Sequence, residues 1–203
     1  MRMGSYAEAV RTLQPVIPRV FDHLEAGFAE AVRHHEERGD DRDQEPWFFL
    51  HQVRHRTCRL LMDDGLQAMN DDGTRPQFPM SALVVHHQNL VIRIMHARSH
   101  PGAPDHPSEI PSPGASRLRQ DFWSQRSQIP ELQTDNLLLL WLDDGVRVRP
   151  RMTLVRPLGG SQLPRDLRID WSGRLVRELA ALTEEDLRVL QPENEHLRLL
   201  RGT

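Results

Sequence analysis

Val10, Leu13, Val16, Ile17, Val20, Phe21, Leu24, Phe28 and Val32 recur at three- and four-residue intervals, the spacing that aligns one buried stripe on a helix. Pro15 and Pro18 interrupt the stripe. A short helix is therefore expected first, then a longer one opening near Pro18, where the fixed φ and missing N–H of proline suit the first turn. Gly39 after Arg38 marks its end. The stretch 40–45 is an acidic loop, and Pro46 opens a second helix carrying Trp47, Phe49, Leu50, Val53, Leu60, Leu61 and Leu66. Facing apolar stripes joined by a short loop predict an antiparallel helical pair.

After Asp71-Asp72-Gly73, a turn signature, the period changes. Residues 82–87 and 90–96 are β-branched runs about Gln88-Asn89, which predicts a hairpin. With a two-residue loop, Leu83, Val85, Leu90, Ile92 and Ile94 share one face, and that face is expected to pack on the helices. Residues 98–116 hold five of the fifteen prolines and are read as a long loop without regular structure. Residues 116–123 form a short amphipathic helix, 136–142 an apolar strand turned by Asp143-Asp144-Gly145, and 151–156 and 167–171 two more strands. Thr183, followed by Glu184, Glu185 and Asp186, fits an N-cap with an acidic first turn, starting a helix that runs through Leu190 before Pro192.

These elements predict an α+β fold: an N-terminal antiparallel helical pair on an antiparallel, meander-like sheet of about five strands, with a short C-terminal helix. They are read as one domain over 1–203, helical to 80, β-rich over 81–177, then helix and tail over 178–203. A length of 203 residues suits that organisation.

All 26 basic residues are arginine, and lysine is absent. Its absence excludes Schiff-base and pyridoxal-phosphate chemistry, a Walker-A or kinase-type lysine, a Ser-Lys dyad and the lysine of standard nuclease motifs. Arginine in place of lysine fits the codon bias of a high-GC genome. A net charge of −3 argues against general nucleic-acid coating but allows a local basic patch. One cysteine, Cys58, makes no internal disulfide, so a reducing cytoplasm is expected. The longest strictly apolar run, 137–142, is far short of the ~20 residues that span a bilayer, so no membrane partner is expected. No cofactor motif is present, and no cofactor is expected.

The clearest local signal is charge. Between Arg147 and Arg177 lie eight arginines (147, 149, 151, 156, 165, 168, 174 and 177) against Asp166 and Asp170 alone. Arg147, Arg149 and Arg151 alternate, so an extended backbone aims all three at one face. Such a row fits phosphates or an acidic partner; it equally fits the solvated face of an edge strand. Arg156, Arg165 and Arg168 extend the candidate surface. Phe122 and Trp123, beside Arg117, Arg119 and Arg126, form a candidate apolar anchor for a partner, provided they are exposed.

Histidine is the second signal: His86, His87, His96, His100 and His106 share the hairpin and loop, with His96, His100 and His106 the metal-site alternative. Asp143, Asp144 and Asp170 at strand ends are the candidate magnesium ligands of a nuclease-like hydrolase. Against these stand the turn propensity of Asp-Asp-Gly and the lack of any HExxH or Cys-His framework. Cys58 reads as a small core residue, and Ser172-Gly173 lacks a nucleophile elbow.

The succession Ser116-Arg117-Leu118-Arg119-Gln120-Asp121-Phe122-Trp123-Ser124-Gln125, then Asn136-Leu137-Leu138-Leu139-Leu140-Trp141, then Asp170-Trp171 resembles a family of uncharacterised proteins from high-GC bacteria, over residues 45–171. These are often met beside helix-turn-helix regulators. The resemblance implies a regulatory or mobile-element setting and brings no activity or catalytic residue with it. The expectation is a non-enzymatic regulatory module that binds a partner protein, such as a helix-turn-helix regulator, or nucleic acid; a metal-dependent nuclease-like hydrolase is the alternative.

Overall fold

A computed structural model describes residues 4–42, 44–66, 83–126, 134–160 and 166–193. The turn read at 71–73 lies outside them, as does Arg165. The helical part follows the proline and glycine punctuation. Helix α1 (Tyr6–Leu13) opens on a capping box, with Ser5 Oγ accepting from Glu8 N–H and the Glu8 carboxylate accepting from Ser5 N–H. Helix α2 (Ile17–Arg38) has Pro18 in its first turn and ends at Gly39, whose φ of 68° is left-handed. Helix α3 (Pro46–Asp63) starts at its proline. The α2 and α3 contacts run in opposite order along the chain, His35 against Phe48, Arg56 with Glu30, and Arg19 and His23 with Asp64. The pair is therefore antiparallel, as expected. Trp47 departs from its predicted place: it is 69% exposed, its ring edge-on to Phe48.

The sheet holds β1 (Leu83–His87), β2 (Leu90–His96), β5 (Asp135–Trp141), β6 (Met152–Gly159) and β7 (Arg168–Leu175), in the order β1-β2-β5-β6-β7. Between β2 and β5 lie β3 (Ser99–His100), β4 (Ala103–Pro107) and α4 (Arg117–Trp123). A 3₁₀ helix (Arg177–Ala181) and α5 (Glu184–Val189), with its Thr183/Asp186 capping box, follow β7. The class is α+β with a mixed five-stranded sheet. Where the meander was expected to be antiparallel throughout, β2 and β5 run parallel, from Leu90 opposite Asp135 to His96 opposite Trp141. The segment 97–134 carries the chain back to the starting end of β2, and a strand entering there must run alongside it. The proline-rich stretch is likewise more ordered than a loop. β3 and β4 form a small bulged ladder around Pro101-Gly102, where proline's missing N–H is tolerated.

Both sheet faces are covered. Leu83, Val85, Leu90, Ile92 and Ile94 share the helix face as expected, joined by Leu137, Leu139 and Trp141. On the far face, Leu138, Leu140, Leu142 and Val155 meet Ala97, Ile110 and Trp123. The uninterrupted apolar run in β5 therefore marks a strand buried on both sides. On β7 a Cβ built at Gly173 would sit 2.5 Å from Tyr6 Cε2, so only glycine admits the ring that anchors α1. Gly173→Ala is expected to destabilise the protein by roughly 1–3 kcal/mol through overpacking, read as a fall in the urea midpoint.

Candidate functional site

The alternating arginines do not form a row. Residues 145–150 bend, pinned by an isolated bridge between Asp143 and Val148, and Val148 is buried. Arg147 stays 79% exposed, 3.4 Å from Asp144; Arg149 pairs with Asp105 at 2.9 Å and Arg151 with Glu193 at 2.7 Å. Arg174 shares Glu193, and Arg177 is held by Asp22 and Glu25. Arg156 is buried between Asp135 at 2.7 Å and Asp170 at 2.8 Å. Most of the clustered charge is thus spent on carboxylates from distant parts of the chain. The cluster fastens the sheet to its surroundings, and the pattern at 147–151 is a turn instead of a strand.

Two candidates from separate sets come together instead. His96 ends β2 and Asp143 follows β5, so the parallel pair sets them side by side: His96 Nε2 lies 2.8 Å from Asp143 Oδ2. Asp143 Oδ1 accepts from Arg42 Nη2 at 2.7 Å and from Gly145 N–H at 2.9 Å. The Arg42 guanidinium stacks 4.0 Å from the Phe49 ring centroid, and His96 meets Trp141 edge-on at 4.6 Å. Every carboxylate oxygen here has a partner, which suits a latch between the α2–α3 loop and the strand ends.

The remaining candidates lie elsewhere. His100 Nδ1 accepts from Gly102 N–H within its own turn, and Asp144 caps the Val146 and Arg147 N–H groups. Asp170 belongs to the Arg156 network, which begins at Asp135 at the opposite end of β5; a seven-residue strand separates the two networks by roughly 20 Å. Among the described residues no three His, Cys, Asp or Glu side chains are placed to hold a metal. His96, His100 and His106 are therefore not gathered into a metal site, nor are Asp143, Asp144 and Asp170.

Burial raises the Asp143 carboxyl's proton affinity, but His96, the Gly145 N–H and Arg42 outweigh it and hold the pKa below the usual carboxylate range. At the other end of the helical pair, hydrogen bonds from Arg19 and His23 bring Asp64 down to about 2. Both carboxylates are more acidic folded than unfolded, so both stabilise above the unfolded pKa of about 3.9, and the contribution is lost as pH falls through the folded values. Between pH 5 and 2, Tm is expected to fall less steeply in Asp64→Asn and Asp143→Asn than in the parent. Parallel slopes would contradict these assignments.

The third set sits on the far face, around α4. Trp123, expected as an exposed anchor, is fully buried beneath the sheet's second cluster, its indole N–H donating to Pro111 O at 3.0 Å. Phe122 is half-buried. A seven-residue helix is too short to be stable alone. Side-chain amides pin this one: Gln120 to Gly114 O, Asn136 to Phe122 O, and Gln125 to Asn136 O and Pro157 O.

Arginines surround that fixed helix. Arg117 and Arg119 lie on it, and Arg126 follows it, 3.9 Å from Asp121. Arg168 reaches its C-terminal end: an ideal Cβ at Gly159 would lie 3.1 Å from Arg168 Nη2 and 3.4 Å from Ser124 Oγ. Arg93, on β2, projects under α4, its guanidinium 5.3 Å from the Phe122 ring centroid and 5.8 Å from that of Trp123. Among the described residues, Arg93, Arg117, Arg119 and Arg168 have no carboxylate partner. Arg93 and Arg42 escaped the sequence reading, whereas Arg126 stood there beside Phe122 and Trp123. For Arg93 a signal existed, a lone charge in an apolar strand on the face opposite Ile92 and Ile94.

Comparison with family models, curated proteins and solved structures returns no match to this chain. What the fold defines is therefore a class, an α+β chain with a mixed sheet, and no described helix is long and apolar enough to cross a membrane.

Proposed function

We propose that the chain is a non-enzymatic binding module whose partner is nucleic acid, held by the arginines around α4: Arg117, Arg119, Arg126, Arg168 and Arg93. The observation that carries this reading is the contrast in pairing. Arg149, Arg151, Arg156, Arg174 and Arg177 are neutralised within the chain, whereas Arg93, Arg117, Arg119 and Arg168 meet no carboxylate among the described residues. Guanidinium forks match phosphate oxygens bidentately. With Trp123 buried, the face lacks the exposed aromatic anchor that dominates protein–protein contacts, which favours nucleic acid over a protein partner. A local basic face is compatible with the overall charge of −3. A regulatory setting beside a helix-turn-helix protein, implied by the family resemblance, accords with this reading.

Fluorescence anisotropy with labelled duplex and single-stranded oligonucleotides tests it. The parent is expected to bind with an affinity that falls steeply between about 50 and 200 mM salt. Replacing Arg117, Arg126 and Arg168 by glutamine is expected to weaken binding by roughly 10- to 1000-fold and to reduce the salt slope by up to about three. The same change at Arg147, Arg149 and Arg151 is expected to matter little. No binding to either probe, or greater loss from the second triple than from the first, overturns the proposal; binding of an acidic protein at this face in place of both probes overturns it too.

A further inference from the structure

Arg42, Arg93 and Arg156 are seated on the core, and their surroundings differ in one respect. Arg156 lies between Asp135 and Asp170. Arg42 stacks on Phe49 and Phe28 and meets Asp143. Both of these guanidinium groups thus have an anion supplied from within the fold, as desolvated charge requires. Arg93 has the aromatic seat without an anion among the described residues. Its guanidinium carbon lies 5.3 Å from the Phe122 ring centroid and 5.8 Å from that of Trp123, and its Nε, like that of Arg156, is buried with no hydrogen-bond acceptor. The charge that bears on it is another cation, Arg119 on α4.

We propose that Arg93 and Arg119 form a seat for one phosphate group at the edge of α4. Stacking on two rings fixes the Arg93 fork before any ligand arrives, so little side-chain entropy is lost on binding. A phosphate there supplies acceptors for the Arg93 Nη N–H groups, the buried Nε staying out of reach, and offsets the repulsion between two cations. Burial and the Arg119 charge lower the proton affinity of Arg93, as expected of a cation with no counter-ion. Because Trp123 is buried, its face is not open for stacking nucleobases, and the seat reads the phosphate. This inference rests on the nucleic-acid reading for the source of the phosphate, but its chemistry is tested apart from it.

The probe is pyrophosphate added to the intact chain at constant ionic strength, with Tm as the readout, beside oligonucleotide anisotropy on the same proteins. The parent's Tm is expected to rise saturably with pyrophosphate. Arg93→Gln is expected to weaken pyrophosphate binding at least tenfold, yet without ligand to melt no lower than the parent, since it removes an uncompensated charge. Arg119→Gln is expected to weaken the same response with ring packing intact, and Arg93→Lys, which keeps the charge but loses the fork, to fall between. A saturable rise of equal size in Arg93→Gln, no saturable rise in the parent, or an equal Tm deficit with and without pyrophosphate overturns the seat. Oligonucleotide binding that depends on Arg117, Arg126 and Arg168 but not on Arg93 also overturns it while leaving the module's proposed function intact. A pyrophosphate response without oligonucleotide binding supports the seat, identifies a free phosphate compound as its source, and overturns the nucleic-acid reading.

Discussion

Replacing Arg156 with alanine is expected to cost about 3 kcal/mol of folding free energy, the largest single loss tied to a charge in this chain. The guanidinium bridges Asp135 at the start of β5 and Asp170 on β7, with β6 between them. Its removal leaves two carboxylates without their cation, and Asp135 is crowded further by Gly4, where an added Cβ would run into Asp135 Oδ2. Losses on breaking buried ion pairs run to roughly 5 kcal/mol. The lower end applies here because Asp135 and Asp170 keep 20% and 22% of their side-chain surface in water. A companion variant isolates the cause. Arg156→Met with Asp135→Asn and Asp170→Asn removes all three charges, and most of the stability is expected to return. Urea denaturation of both variants checks this; equal losses would make Arg156 a packing residue first and a charge second.

Trp123→Ala is expected to cost more in volume, roughly 3–5 kcal/mol, the range for truncating a fully buried aromatic. Trp123 is also half of the aromatic seat beneath Arg93 and ties α4 to Pro111. The stability loss should therefore be accompanied by weakened binding at the α4 face. Trp123→Phe separates the two roles: it keeps an aromatic ring and loses the hydrogen bond to Pro111, with an expected cost of about 1–3 kcal/mol. Stability from urea midpoints, read beside oligonucleotide anisotropy, is the measurement.

Local punctuation made much of this fold legible. Pro18, Gly39, Pro46 and Thr183 bound helices because each acts on its own residue or the next turn. The hairpin at Gln88-Asn89 was legible for the same reason, since a turn and alternating side chains lie within a few residues of each other. The parallel pairing of β2 with β5 was not. It depends on where the intervening segment leaves the chain, and nothing inside either strand records that. The arginines show the same divide. Their clustering could be counted, but their fates depend on Asp105, Glu193 and Asp22, which the fold brings from elsewhere. His96 and Asp143 stood in separate candidate sets because only the parallel register makes them neighbours.

The first helix has its partners at the other end of the chain. Tyr6 donates to Arg174 O, Trp171 Nε1 to Gly4 O, Gln14 to Leu179 O and Leu182 O, and Arg11 pairs with Glu184. Made in order on a ribosome, α1 emerges well before the β7 and α5 residues that cover it. Eight residues do not hold a helix alone, so Tyr6, Val10 and Leu13 remain an adhesive apolar stretch until β7 and α5 have been synthesised. A nascent chain stalled before Arg168 should consequently expose that stretch to chaperones, and its completion should register as a late, cooperative gain in protease resistance.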